Sequence, residues 1–376
     1  MTSVTAKDES KKDESKNMKK DDTRRVDASQ DAGDEGILWI GMDLGTSRTA
    51  VASSNGVREN SYSLVGWPRD VVSRKLLGEG PLFGPDVIKH RLSLNVFRPL
   101  EAGVIKGSGE DNGKDSKENM KAARELVKHA ISLSHPEKGQ LIYAVIGCPA
   151  EASVKNRAAI IEAATEEVDS VMIASEPFTV AYGLNLLTDT LVIDIGAGTT
   201  DLCRMHGTMP EEADQVTLNY AGDSIDRLLA QLIRKHHPEV SFSDNMVTQA
   251  KEASANVGDN APRCVVKWPV EGRPTEIDIS KEMKEACLSI VPPIVKSLGK
   301  LVASFDPEFQ ALLRNNVLLG GGGSQIRGLG DAIAEYMDEH LGGGRVVTVE
   351  EPVYAGANGA LKIARDMPRE YWKQLS

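Results

Sequence analysis

Short apolar runs alternate with segments of helical periodicity along most of the chain. The first run, Ile-Leu-Trp-Ile-Gly-Met-Asp from Ile37, ends at an acid and a glycine turn, which is typical of a buried strand that leads into a loop. Similar patterns predict further strands at 49–53, 141–147, 171–174, 191–195, 264–270, 317–319 and 345–349. Helical periodicity predicts helices at 117–134, 153–167, 177–187, 222–237, 281–304, 326–341 and 355–366. Strands interleaved with helices over this length indicate an α/β protein.

Two polar segments interrupt this pattern. Residues 1–36 carry many charges of both signs and almost no large apolar side chain, so they cannot bury enough surface to offset chain entropy. We therefore predict a disordered charged tail, since the segment also lacks the Leu, Phe or Trp stripe of a membrane-surface helix. Residues 106–119 are predicted to form an exposed polar loop.

Composition narrows the classes of function. At 376 residues the chain is long for one core and suits two comparable domains. The formal charge of −11, with no basic stripe, argues against a nucleic-acid partner. The four cysteines are widely spaced without a metal-ligand pattern, which favours a reduced, cytoplasmic compartment. Because no run of about 18 apolar residues occurs, we expect no direct membrane insertion.

One sequence feature occurs twice. The segment Met42-Asp43-Leu44-Gly45-Thr46 is matched 151 residues later by the segment from Ile193 to Asp201, Ile-Asp-Ile-Gly-Ala-Gly-Thr-Thr-Asp. Each copy ends an apolar strand on an aspartate and then turns through glycine and threonine. A repeat so far apart is too long for a solenoid and predicts a duplicated domain.

The residues of these two turns suit the phosphates of a nucleotide. Glycine lets backbone N–H groups approach a phosphate, hydroxyl groups donate hydrogen bonds, and carboxylates hold Mg²⁺, usually through its waters. The predicted phosphate-binding residues are Gly45, Thr46, Ser47, Gly196, Ala197, Gly198, Thr199 and Thr200. The predicted magnesium-holding residues are Asp43 and Asp194. The alternative is two ordinary β-hairpins with N-capping residues.

Two rival phosphate motifs fail on inspection. No G-x-x-x-x-G-K-S/T pattern occurs, so the sequence excludes a P-loop. The Gly-Ala-Gly run at 196–198 is similar to a dinucleotide-binding motif, but Asp201 stands where the third glycine belongs.

Five segments together resemble one superfamily. GMDLGTSRTAV and VIDIGAGTTDL resemble the phosphate-1 and phosphate-2 motifs of the actin, DnaK-type chaperone and sugar-kinase superfamily. AVIGCPAEAS (144–153) and EEPVYAGANGALKIA (350–364) resemble its two connecting motifs, and VLLGGGGSQIRGL (317–329) resembles its adenosine motif. The resemblance implies an actin-like fold, a duplicated ribonuclease H-like fold with two lobes around a nucleotide cleft. The implied lobes are 37–190 and 191–350, with C-terminal helices at 351–376 that return to the first.

The resemblance also implies further site residues. Those implied to contact adenosine or ribose are Gly222, Asp223, Lys251, Glu252, Gly320, Gly321, Gly322, Gly323, Ser324 and Arg327. For the glycine run 320–323 with Ser324, the alternative is a strand-to-helix turn with Ser324 as N-cap, which is compatible with an adenosine contact. For Lys251 and Glu252, the alternative is a solvated helix face. Glu176 matches the acid or amide that orients the attacking water, so Glu176 and Asp194 are the implied catalytic residues. The alternative for Glu176 is an N-capping acid before a proline.

Three segments refine the expected class. SLVGWPRDVVSRKLLG (63–78), ASEPFTVAYGLNLL (174–187) and MPREYWKQL (367–375) resemble the bacterial actins that organise magnetosomes more than rod-shape actins. We expect neither a DnaK-type chaperone, whose substrate-binding domain would follow residue 370, nor a sugar kinase, whose acceptor-binding insertions we do not find. The resemblance implies a cytoplasmic ATPase that uses ATP and Mg²⁺, assembles with itself into filaments and works with magnetosome-associated proteins. The alternative is a non-polymerising ATP-dependent regulator or scaffold on the same fold.

Overall fold

A computed structural model describes residues 36–107, 114–259 and 262–375 of the chain. The predicted tail at 1–36 lies outside the described residues except for Gly36. The middle of the predicted polar loop, 108–113, lies outside them as well.

The first sheet has five strands, and the first of the two repeated turns connects two of them. The elements of this lobe are β1 (Ile37–Leu44), β2 (Arg48–Ser53), β3 (Arg58–Tyr62), β4 (Val65–Pro68), α1 (Val71–Leu77), β5 (Leu82–Phe83), α2 (Gly84–His90), β6 (Leu94–Phe97), β7 (Leu100–Glu101), β8 (Val104–Ile105), α3 (Lys114–Ser132), β9 (Leu141–Cys148), α4 (Val154–Ala164), β10 (Ser170–Ser175) and α5 (Glu176–Gly183). The strand order is β10-β9-β1-β2-β3. Strand β1 is antiparallel to β2 and parallel to β9.

The second sheet repeats this arrangement. The remaining elements are β11 (Thr190–Ile195), β12 (Thr200–Met205), β13 (Gln215–Leu218), α6 (Gly222–His236), α7 (Asp244–Ser254), β14 (Val265–Val270), β15 (Arg273–Asp278), α8 (Ser280–Leu288), α9 (Val291–Ala303), α10 (Gln310–Arg314), β16 (Val317–Gly320), α11 (Leu329–Leu341), β17 (Val346–Thr348), α12 (Pro352–Asp366) and α13 (Arg369–Leu375). The order is β13-β12-β11-β16-β17, with β11 antiparallel to β12 and parallel to β16. The predicted α/β class and the duplication are therefore confirmed.

Two helices lie between the sheets. Helix α12 packs on β1, β2, β9 and α5, while α5 also contacts β11 and β12. A Cβ at Gly41 of β1 would collide with the carbonyl oxygen of Ala357 on α12, so this close contact requires glycine. Helix α13 packs on β10, where Trp372 is fully buried. Both C-terminal helices thus contact the first sheet, while the lobe boundaries at 190 and 350 stay predictions.

One predicted helix is divided. The segment 281–304 forms α8 and α9, because the prolines at 292 and 293 lack backbone N–H groups and suit the first turn of a new helix. By length and composition alone, Ser280–Ala303 is apolar enough to cross a membrane. Half of it is buried, and Met283, Ile294 and Leu298 lie in the core of the second lobe, which is the pattern of a core helix.

Candidate nucleotide site

The two repeated turns face each other across a cleft of about 920 Å³. The β1–β2 turn contributes Asp43, Gly45, Thr46 and Ser47, and the β11–β12 turn contributes Asp194 and the run 196–199. The two turns come close together at Gly198, where a Cβ would lie 2.6 Å from the Thr46 hydroxyl oxygen. The cleft is also lined by Glu176, Gly222, Asp223, Lys251, Glu252, Gly321, Gly322, Gly323 and Arg327. The structure thus brings together most of the residues that the sequence assigned to the site.

Three predicted site residues do not line the cleft. Thr200 is fully buried, and its hydroxyl donates to the carbonyl of Tyr220 at 2.7 Å. Gly320 ends β16 behind the cleft wall. Ser324 donates back to the Gly321 carbonyl at 2.7 Å inside a short 3₁₀ turn, so the interpretation of Ser324 as a helix N-cap is wrong. Gly328 occupies the N-cap position of the next helix, α11.

The first turn is held by bonds to its own lobe. The Ser63 hydroxyl donates to the Gly45 carbonyl at 2.6 Å, and the Gly103 N–H donates to the Thr46 hydroxyl at 2.7 Å. Arg98, which the sequence analysis missed, donates through Nε to the Thr46 carbonyl at 3.0 Å. These bonds fix the turn before any ligand arrives.

The second turn is held by the start of α6. The Gly222 N–H donates to the Gly196 carbonyl at 3.1 Å, and the Asp223 N–H donates to the Ala197 carbonyl at 2.7 Å. Lys251 donates to the Gly222 carbonyl at 2.9 Å and pairs with Asp226, also at 2.9 Å. Its ammonium group therefore secures α6, while the predicted ribose contact of Lys251 stays a prediction.

The floor of the cleft, defined here as Asp43, Glu176 and Asp194, is acidic. Asp43 stands beside Gly147 across the β1–β9 ladder, and Glu176 begins α5 directly after β10, which pairs with β9. Burial raises the pKa of Asp43 to about 6, and the nearby Asp201 adds to the rise. Burial and the neighbouring carboxylates also raise the pKa values of Glu176 and Asp194 well above their ordinary range.

No cation of the described chain offsets this charge. Across residues 36–107, 114–259 and 262–375, no lysine or arginine pairs with a floor carboxylate, and Arg48, Arg98 and Lys251 of the cleft pair with other acids. Within the same ranges, no group of three or more His, Cys, Asp or Glu side chains is placed to hold a metal ion directly. Mg²⁺ usually keeps several waters and takes only one or two protein carboxylates. The floor therefore fits Mg²⁺ held by Asp43 and Asp194 through water.

Asp201 is a buried acid that the sequence analysis did not assign to the site. Its Oδ1 accepts from the N–H of Ala150, two residues after β9, at 2.8 Å and from the hydroxyl of Thr217 on β13 at 2.5 Å. Its Oδ2 is buried without a hydrogen-bond partner in the described chain. Its position could have indicated a place near the site, because Asp201 directly follows Thr199 and Thr200 of the second repeated segment.

The glycines of the adenosine segment permit a close approach. Gly321 has a φ of 73°, and a Cβ there would collide with Oδ1 of Asp194. A Cβ at Gly323 would collide with the side chain of Ile195. The backbone of this segment can therefore lie directly against the second phosphate turn.

A model of the MreB/Mbl protein family matches residues 38–370. The chain therefore belongs to the MreB/Mbl family of actin-like proteins, and the expected actin-like fold is confirmed.

Individual relatives give a finer comparison. The actin-like protein MamK of Paramagnetospirillum magneticum is 39% identical over 341 residues, which cover 90% of this chain and 95% of that protein. The MamK double helical filament has a TM-score of 0.83 at 38% identity, covering 88% of this chain and 100% of that one. A non-polymerising MamK mutant bound to AMPPNP has a TM-score of 0.66 at 37% identity, covering 88% and 99%. The expected resemblance to a bacterial actin, here MamK, is confirmed.

Proposed function

We propose that this chain binds ATP with Mg²⁺ in the cleft, hydrolyses the γ-phosphate and assembles into filaments that organise magnetosomes into a chain. The observation that carries the ATPase is the acidic floor, which lies between two glycine turns and pairs with no lysine or arginine of the described residues. The similarity to MamK over 90% of the chain supports filament assembly and the magnetosome role.

Each side of the cleft has a part in holding the substrate. Gly45, Thr46 and Ser47 present backbone N–H and hydroxyl groups from the first lobe. The run 196–199 presents such groups from the second lobe, and the glycines at 321–323 let the backbone lie against adenine. Thr200 contributes indirectly, because its hydroxyl holds the hairpin to Tyr220.

The floor acids divide the catalytic work. Asp43 and Asp194 would hold Mg²⁺, which when bound neutralises charge on the phosphates. Glu176 orients the attacking water and accepts its proton. Its pKa is raised by burial and by the floor carboxylates, so a cation beside Asp43 and Asp194 favours the charged form that accepts a proton.

Sedimentation tests filament assembly. The full-length chain should enter the pellet on ultracentrifugation with ATP and Mg²⁺, and should stay in the supernatant without nucleotide. Phosphate release in the same samples reports hydrolysis. A chain that binds and hydrolyses ATP without pelleting would instead support the regulator or scaffold on the same fold.

Genetic complementation in cells tests the magnetosome role. The chain would be expressed in Magnetospirillum gryphiswaldense cells that lack their own MamK. Magnetosome alignment, imaged by electron cryotomography, should be restored. Filaments that form in these cells while magnetosomes stay scattered would contradict the magnetosome assignment and leave the ATPase standing.

A further inference from the structure

Two ion pairs cross the rim of the cleft and join the lobes. Arg48, at the start of β2, pairs with Glu252 of α7 at 3.2 Å. Arg98, just after β6, pairs with Asp223 at the start of α6 at 3.1 Å. All four residues line the cleft, and their side chains are about one-third exposed, in contrast to Asp194 on the floor. We call these four residues the rim.

Both arginines are anchored by their own lobe. The Arg48 guanidinium lies over the Tyr62 ring at 4.1 Å and donates to the Tyr62 hydroxyl at 2.9 Å. It also donates to Asn60 at 3.4 Å. Arg98 donates through Nε to the Thr46 carbonyl at 3.0 Å, so one guanidinium joins the phosphate turn to the opposite lobe. Anchored guanidinium groups lose little further entropy when they pair across the cleft.

Both acidic partners, Asp223 and Glu252, are among the residues expected to contact adenosine or ribose. A nucleotide on the floor would therefore lie close to the rim. We propose that Arg48 and Arg98 are positioning residues that hold the cleft closed and set the rate of nucleotide release. This inference rests on the proposed nucleotide binding.

The expected effect per pair is modest. A partly exposed ion pair typically changes an equilibrium by about two- to five-fold, and salt weakens it. Because the two pairs share no atoms, their effects on release should multiply, to on the order of ten-fold for both.

Dissociation of an unmodified nucleotide tests the inference. The full-length chain is loaded with tritium-labelled ADP and Mg²⁺ at a concentration below the onset of light scattering. It is then chased with excess unlabelled ADP, and retained label is measured by rapid filtration. Arg48→Gln and Arg98→Gln should each release ADP about two- to five-fold faster than the parent. Added salt should bring the parent rate towards the variant rates.

Arg58→Gln is the matched control. Arg58 pairs with Glu351 at 2.9 Å and lies over the Tyr354 ring at 4.6 Å, but neither partner of this pair lines the cleft. Its release rate should equal that of the parent. Parent-like release from both rim variants, or equally fast release from the control, would overturn the inference alone. A parent that binds no ADP would overturn the proposed function and this inference with it.

A double-mutant cycle separates pairing from any ribose contact by Glu252. In a chain that already carries Glu252→Gln, adding Arg48→Gln should change release very little, because the partner charge is gone. If Arg48→Gln keeps its full effect in that background, the arginine does not act through the pair, and the inference is overturned.

Discussion

The floor and the rim of the cleft both carry charged side chains, but the charges are paired within the fold only on the rim. On the rim, arginines from one lobe meet acids from the other, so the fold supplies both partners. On the floor, Asp43, Glu176 and Asp194 lie near one another, and no cation of the described residues pairs with them. The rim charges are therefore paired within the fold, whereas the floor charges are the ones that we propose to pair with Mg²⁺.

This difference has a cost in stability. The pKa of Asp43 rises from an ordinary 3.8 to about 6, which corresponds to roughly 3 kcal/mol against the charged form. Because the folded pKa lies above the unfolded one, deprotonation favours the unfolded chain. The cost is absent below pH 3.8 and grows as the pH rises through about 6.

The largest expected effect follows from removing a floor charge. Asp194→Asn keeps the shape of the side chain, so the ligand-free chain should unfold at a higher temperature than the parent at pH 7. Nucleotide affinity in Mg²⁺ should fall by at least about ten-fold, because a carboxylate that faces the cation is lost. Thermal unfolding with and without ATP and Mg²⁺ measures both effects.

The same substitution at an exposed aspartate is the control for Asp194→Asn. Asp338→Asn, on the surface of α11, should leave both the unfolding temperature and the affinity near the parent values. If Asp194→Asn lowers the unfolding temperature of the ligand-free chain, its charge is not an unfavourable one.

Glu176→Ala should separate hydrolysis from binding. Affinity for ATP should stay within a few-fold of the parent, because both turns and both metal-facing acids remain. Hydrolysis should slow by about ten-fold or more, as a positioned proton acceptor typically contributes 10²–10⁴. Phosphate release and light scattering after limiting ATP would record hydrolysis together with filament disassembly.

One outcome would contradict this prediction. Normal phosphate release from Glu176→Ala would remove Glu176 from the catalytic role. A Glu176→Gln variant is the isosteric comparison, since an amide can still orient water but cannot accept the proton.

The rim gives the smallest effects in this series. The few-fold changes in ADP release expected for Arg48→Gln and Arg98→Gln reflect pairs that solvent and salt already weaken. A rim effect as large as that of Asp194→Asn would erase the distinction between the two regions.

The two glycine turns that line the cleft were predictable because their signal is local. Asp43 and Asp194 each end an apolar strand, and the glycines that follow directly predict a backbone that a ligand can approach closely. The rim was not predictable in this way, since Arg48 and Glu252 are 204 residues apart and only the closed fold brings them together. The bond between Lys251 and Gly222 was likewise not predictable, because the two residues lie on different helices 29 residues apart.

The fold shows a similar division. Long periodic segments such as α3 and α12 were predicted to within a few residues. The short strands β4 to β8 were not, because two to four residues show too little alternation to be recognised. The break between α8 and α9 could have been found from the prolines at 292 and 293.

The proposed role of the floor is to bind a cation together with the nucleotide. Calorimetric titration of ATP into the full-length chain, once in Mg²⁺ and once in EDTA, tests this directly. The floor acids repel a bare triphosphate, so affinity should be at least about ten-fold higher in Mg²⁺. Equal affinities in the two buffers, or no binding in either, would contradict the account.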